Sequence, residues 1–258
     1  MGIVFAFTNQ KGGVGKTTSC VNLAAYVASF GKRVLIIDMD PQGNATTSLG
    51  ILKNSDLSIY SILSGNASFL DDGMIRETAV EGLFLVPSNI HLSAAETEMA
   101  MTSGERESKL FDSLSLIKND FDYIMLDCPP SLGYLTINSI FAADKILIPV
   151  QCEFFALEGM TQLLNNLKLM ERFLGHGRKM VIDGVILTMF ESSSVLSQQV
   201  RDEVRAYFGD KVYDSIIPRN VKLAEAPGFG LPVMTYSPES KGALAYRDLA
   251  YEFIRRNS

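Results

Sequence analysis

The apolar run Ile3-Val4-Phe5-Ala6-Phe7 leads into Thr8-Asn9-Gln10-Lys11-Gly12-Gly13-Val14-Gly15-Lys16-Thr17-Thr18, and that stretch opens a segment of helical spacing closed by Gly31. Strand, glycine loop, Lys-Thr and helix in that order constrain the chain more than any other feature it contains. Glycines let the backbone come close to a phosphate, so that successive N–H groups point inward. Lys16 can then reach the β/γ oxygens, and the Thr17 hydroxyl can ligate Mg²⁺ at the positive N-terminus of the helix.

The rest of the chain continues the alternation of short β-branched runs with longer helical segments, the pattern of βαβ units around a parallel sheet. Strands are expected at Gly2 to Thr8, Arg33 to Asp38, Leu83 to Pro87, Tyr123 to Asp127, Lys145 to Val150, Met180 to Thr188 and Val212 to Ile217. Several are apolar throughout, as strands covered on both faces should be. Helices are expected at Lys16 to Phe30, Arg106 to Lys118, Thr136 to Ala143, Gly159 to Leu174, Ser197 to Phe208 and about Lys241 to Arg256. The fold class is therefore α/β, a mostly parallel twisted sheet of about seven to eight strands flanked by helices. No linker or repeat divides residues 1–258, so a single domain is expected; the least regular region runs from Asn44 to Asp72, with one helical pattern at Ser58 to Ser64.

Composition narrows the chemistry. With 47% hydrophobic residues the chain is too apolar for disorder. Its formal charge of -6 means that any hold on nucleic acid must come from a local basic patch. Cys20, Cys128 and Cys152 form no C-x-x-C pair, which argues against a disulfide framework or a zinc site and fits a reducing cytosol. His91 and His176 have no partners at ligand spacing and read as surface residues. The apolar runs fall far short of the roughly 20 residues a membrane span needs. Met1-Gly2 does not begin a myristoylation motif, because position 6 is Ala6. In the last helix Leu249, Ala250, Phe253 and Ile254 form a stripe expected to pack on the sheet rather than on a membrane.

Two expected strands end in carboxylates, Ile37-Asp38-Met39-Asp40-Pro41-Gln42-Gly43-Asn44 and Leu126-Asp127-Cys128-Pro129-Pro130-Ser131. In a parallel sheet such ends face the ligand crevice. One carboxylate beside Mg²⁺ can hold metal-bound water, and another can orient the water that attacks a γ-phosphate.

The loop departs from G-x-x-x-x-G-K-[ST] by carrying Gln10 where the first glycine belongs and by opening on a second lysine, Lys11. K-G-G-x-G-K-[ST]-T is the deviant Walker A motif, and with it the chain resembles the ParA/MinD family of P-loop ATPases. Soj-like partition ATPases, the small ParA type, are the nearest resemblance. Its markers are Asp40-Pro41-Gln42-Gly43-Asn44, Asp127-Cys128-Pro129-Pro130-Ser131, Val150-Gln151-Cys152-Glu153-Phe154-Phe155-Ala156-Leu157-Glu158-Gly159 and Ile217-Pro218-Arg219-Asn220-Val221. The resemblance implies weak ATPase activity with ATP and Mg²⁺. It assigns Lys11, Gly12, Gly13, Val14, Gly15, Lys16, Thr17 and Thr18 to the phosphates, with Pro218 and Asn220 against adenine. Lys11 would cross a dimer interface to the partner's nucleotide, Asp40 would position the hydrolytic water, and Thr17, Asp38 and Asp127 would serve the metal.

Further implications concern partners: a homodimer when ATP is bound, nonspecific DNA, and a ParB-like centromere-binding protein that stimulates hydrolysis. The protein would be cytoplasmic and nucleoid-associated, without stable membrane binding. Candidate DNA contacts are Arg201, Arg205, Arg219 and Lys222, with Lys211 and Arg247 nearby in sequence. Where many relatives carry Asp-x-Arg-Thr this chain has Glu191-Ser192-Ser193-Ser194, a departure that weakens the DNA inference. The chain starts on its first strand, so the helix-turn-helix extension of larger partition ATPases is not expected. The alternative is a membrane-recruited, MinD-like positioning ATPase, which would need a basic amphipathic C-terminal helix.

Overall fold

The computed structural model describes residues 2–53, 56–101, 106–153, 156–173 and 180–258. Among these, one sheet is built from β1 (Ile3–Phe7), β2 (Val34–Asp38), β3 (Arg76–Glu77), β4 (Leu83–Val86), β5 (Tyr123–Asp127), β6 (Lys145–Gln151) and β7 (Val181–Thr188). Their order is β3-β4-β2-β5-β1-β6-β7, parallel throughout except for the short edge pairing of β3 with β4. The central strands β2 and β5 are buried at every position, which their unbroken apolar sequences require.

Helices cover both faces: α1 (Lys16–Ser29), α2 (Asn44–Ser48), α3 (Ile59–Leu63), α4 (Leu92–Met101), α5 (Lys109–Leu114), α6 (Tyr134–Ala142), α7 (Ala156–Phe173), α8 (Val195–Phe208), α9 (Val221–Glu225), α10 (Val233–Tyr236) and α11 (Lys241–Arg256). Alternation along the strands sorts the core. Phe5, Phe7, Val34 and Ile36 pack with α1 and α11, while Val4, Leu35, Ile37, Ile124 and Leu126 pack on the other face with α3 to α6. A third cluster joins β6 and β7 to α7 and α8.

Helix α11 lies in the core. Leu249, Ala250 and Phe253 are fully buried, the Phe253 ring sits 4.9 Å from Phe5, and Tyr246 shares a hydrogen bond with Ser19 of α1 at 3.0 Å. Its apolar stripe is thus consumed by the sheet, as the sequence leads one to expect.

The structure corrects several expected elements. Residues Val212 to Ile217 do not form a strand; they meet β7 at the isolated Val185–Val212 bridge, where the Tyr213 N–H donates to the Val185 carbonyl at 3.0 Å, and through the Ile217 N–H on the Leu187 carbonyl at 2.9 Å. The reason lies in α11, whose Glu252 carboxylate accepts from the N–H groups of Asp214 and Ser215 and so takes donors a ladder would use. The seventh strand is instead β3, two residues long. The helix expected from Arg106 to Lys118 is confined to α5 plus a 3₁₀ turn at Lys118–Asp120, and α4 lies where no element is expected. Asn44 to Asp72 holds α2 as well as α3, the latter opened by Ser58, whose N–H donates to the Ser61 hydroxyl at 3.4 Å.

All three cysteines are buried and free, and burial pushes the Cys128 and Cys152 thiols up to about 12. His91 is exposed; His176, Phe154 and Phe155 lie outside the described residues.

Candidate nucleotide site

The glycine loop joins the carboxyl end of β1 to α1 at the middle of the sheet. Gly13 and Gly15 hold φ of 74° and 84°, a left-handed conformation that glycine adopts without strain. Gly15 is the N-cap of α1 and supplies no side-chain cap, so the first N–H groups of the helix are left for a ligand. Neighbouring segments fix the loop from outside. Asn9 donates to the Pro149 carbonyl at 2.8 Å and accepts from the Lys11 N–H at 3.0 Å, and the Thr188 hydroxyl donates to the Val14 carbonyl at 2.8 Å.

Lys16 is buried and folds back over this loop, its ammonium donating to the Lys11 carbonyl at 3.3 Å. Burial lowers its pKa, with Asp127 and then Asp40 among the charges opposing the shift. A desolvated cation on a loop of inward-facing amides is matched to an anionic ligand.

The expected carboxylates converge on it. Asp38 and Asp127 are register partners on β2 and β5, and both are fully buried. Asp38 is engaged by the chain: its Oδ1 accepts from the Asp40 N–H at 3.2 Å, and its Oδ2 accepts from the Thr46 N–H at 2.8 Å and the Thr46 hydroxyl at 2.7 Å. Burial nevertheless raises its pKa to about 6. Asp127 differs. Neither of its oxygens completes a hydrogen bond among the described residues, although the Thr17 hydroxyl lies near enough to pull its pKa back down. Burial first, and the Asp38 charge second, push that pKa well above the usual carboxylate range.

A buried carboxylate with both oxygens unspent, beside a hydroxyl at a helix N-terminus, fits a hard divalent cation such as Mg²⁺. Asp40 is nearly buried and folded into its own turn, its Oδ1 accepting from the Gln42 N–H at 2.9 Å. The Lys53 ammonium donates to the Gln42 carbonyl from the outside.

At the rim, Lys11 points away from its own loop and pairs with Glu153 at 3.7 Å. Glu153 also pairs with Arg219 at 3.3 Å, and Arg219 reaches Glu191. This network brings the Pro218 to Asn220 stretch to the mouth of the loop. The Asn220 side chain caps α9, its Oδ1 accepting from the Lys222 N–H at 3.0 Å and its Nδ2 group remaining a donor. Each candidate DNA contact is paired with a carboxylate: Arg201 with Asp202, Arg205 with Asp214, Arg219 with two glutamates and Lys222 with Glu225.

Comparison with known proteins bears on this geometry. An AAA domain family model matches residues 2–177. The Sporulation initiation inhibitor protein Soj of Bacillus subtilis (strain 168) is 51% identical over 253 residues, covering 98% of each chain. The chain belongs to the Soj/ParA family of chromosome-partitioning ATPases. The Chromosome-partitioning ATPase Soj of Treponema pallidum (strain Nichols) is 45% identical, covering 100% of this chain and 99% of its own. Among solved structures, a cobyrinic acid a,c-diamide synthase from Mycobacterium smegmatis with bound ADP and magnesium superposes with a TM-score of 0.83 at 34% identity, covering 99% of this chain and 95% of that one. For this Soj/ParA chain, motif reading alone overlooks Glu153, Thr46 and Thr188 as individual contributors. Thr188 ends an apolar strand beside the loop, a position from which its role is readable; Glu153 stands inside a family marker with no role attached to it, and Thr46 carries no such local signal.

Among the described residues no helix is long and apolar enough to cross a membrane.

Proposed function

We propose that the protein binds ATP with Mg²⁺ at the α1 N-terminus, dimerises with the two nucleotides facing each other, and in that state holds DNA through its phosphates. Hydrolysis, stimulated by a ParB-like partner, ends the cycle and releases the DNA. This makes it cytoplasmic and nucleoid-associated. The observation that carries the reading is the division of labour between two lysines. Lys16 serves the inside of its own loop, whereas Lys11 is held outward by Glu153.

In this scheme the loop amides and Lys16 bind the phosphates, and Pro218 and Asn220 border the base. Thr17 and Asp127 hold the metal, while Asp38 keeps the Asp40 turn and Thr46 in register with it. When bound, Mg²⁺ neutralises charge on the β- and γ-oxygens. Asp40 orients water for attack, a positioning task. Two anionic nucleotides face to face repel unless a cation crosses between them, and an outward lysine meets that need in trans.

DNA contact in a chain of net charge -6 requires local cations doubled by dimerisation, with counterion release on binding. Retention on a nonspecific DNA surface, measured with ATP, ADP and no nucleotide across a salt series, tests the scheme. Retention with ATP alone, falling steeply with salt and indifferent to sequence, is the expected result. Equal retention with ADP, or strong preference for one sequence, would sink it.

A further inference from the structure

No motif singles out Asn22, one and a half turns into α1, yet it is the only described side chain that ties that helix by hydrogen bond to residue 233. It is 5% exposed. Its Nδ2 donates to the Thr18 carbonyl at 2.8 Å, and its Oδ1 accepts from the Val233 N–H at 2.7 Å, across 211 residues of sequence. The partners fix the amide's orientation, since one is an acceptor and the other a donor. Val233 opens α10, so its N–H is one of the donors a helix start leaves unpaired, and Pro232 before it has φ of -66°.

The stretch from Ile217 to Val233 is thereby held at both ends. At the first end the Ile217 and Arg219 N–H groups donate to the Leu187 and Phe190 carbonyls at 2.9 and 3.1 Å. At the other end stands Asn22. Between them Gly230, at φ +66°, lies backbone to backbone on Gly50; a Cβ there would sit 2.7 Å from the Gly50 Cα. Gly50 follows Leu49, the C-cap of the helix whose Thr46 holds Asp38. Within this clamped stretch sits Asn220.

We infer that Asn22 is a positioning residue for base selectivity: through Thr18 and Val233 it sets the distance between the phosphate cradle and the edge that reads adenine. The inference rests on the proposed adenine contact at Pro218 and Asn220. A buried amide bonded at both ends loses two hydrogen bonds on truncation and leaves the Val233 N–H unpaired, so the stretch shifts while the loop itself, held by Asn9 and Thr188, stays.

Affinities for ATP, GTP and inorganic tripolyphosphate, each with Mg²⁺, decide the matter. In Asn22→Ala, ATP should bind about 10-fold more weakly, with tripolyphosphate within about twofold of the parent and the preference for ATP over GTP reduced. Gly230→Ala reaches the same stretch from the α2 side and should give the same selective loss; Asn22→Ser serves should the alanine variant fail to fold. Equal weakening of all three ligands would make Asn22 merely structural, and unchanged ATP affinity would remove its role. Asn220→Ala separates the two levels. If it erodes the ATP preference and Asn22→Ala does not, the positioning role alone falls; if it changes nothing, the adenine assignment falls and takes the inference with it.

Discussion

At the centre of the site Asp38 and Asp127 close adjacent strands and are wholly buried, whereas at the rim Lys11, Glu153 and Arg219 keep between 34% and 52% of their side chains in water. The centre is carried on the sheet and cannot rearrange without breaking ladders. Rim pairs of this exposure are worth about 0–1 kcal/mol each and can trade partners freely. In the proposed scheme, preorganised charge decides whether a nucleotide binds, and exchangeable charge decides what happens once it has bound.

The strongest break in that contrast is Lys16→Ala. Removing a desolvated cation from the phosphates should weaken ATP binding by about 100-fold or more, measured by titration calorimetry. Near-normal affinity would show that the centre is not preorganised around this lysine. Lys11→Ala should act differently, leaving ATP affinity within several-fold but the protein monomeric. Sedimentation with ATP, in an Asp40→Ala background that suppresses turnover, reads this directly. An intact dimer of ordinary affinity would confine Lys11 to its own loop.

A third comparison uses pH. Because burial raises the folded-state pKa of Asp38 to about 6 and pushes that of Asp127 well above the usual carboxylate range, charging them costs stability. Ligand-free protein should be favoured below the unfolded carboxylate range near about 4. That advantage is lost as pH rises through about 6 for Asp38, and as pH rises through the raised pKa of Asp127. Asp127→Asn sacrifices no hydrogen bond in the described structure. It should raise the ligand-free melting temperature at pH 8 by roughly 2–4 °C or more, and by less as pH falls, while losing the stabilisation that Mg²⁺ with nucleotide supplies. A lower melting temperature at pH 8 would mean that the Asp127 carboxylate is already satisfied without metal.

Glu153→Gln should have the smallest effect. Freeing Lys11 from its exposed partner is worth about 1.4- to 5-fold in the protein concentration at which ATP drives dimerisation. Weakened dimerisation would mean that Glu153 aids the interface instead of competing for the lysine.

How much of this is legible in sequence depends on how local the cause is. The loop, its two lysines and the carboxylates ending β2 and β5 are readable because each is set by a few adjacent residues and by the period of the strand before it. Thr188 on the Val14 carbonyl spans 174 residues and Asn22 on Val233 spans 211, so no window of sequence contains both partners. Residues 212–217 have the apolar, β-branched look of a strand, and two of them do bond to β7, but the Glu252 carboxylate, brought in by α11, takes the Asp214 and Ser215 N–H groups between them. Strand β3 is two residues long, too short for any period to register. Helix α4 buries Leu92, Ala95 and Met99, a spacing of three and four that is present in the sequence but carried by a single large aliphatic, one alanine and one methionine.

The strand order has a consequence for how the molecule is made. Strand β5 lies between β1 and β2, so the two earliest strands share no ladder of their own. On a ribosome the amino-terminal residues emerge first, and the glycine loop is exposed long before its counterpart on β5 exists. Until Tyr123–Asp127 is synthesised and inserted, Lys16 has no Asp127 beside it and Asp38 has no register partner. ATP in the surrounding solution thus has nothing complete to hold on the nascent chain, and its stabilising contribution begins only when a segment near the midpoint of the polypeptide zips the sheet together.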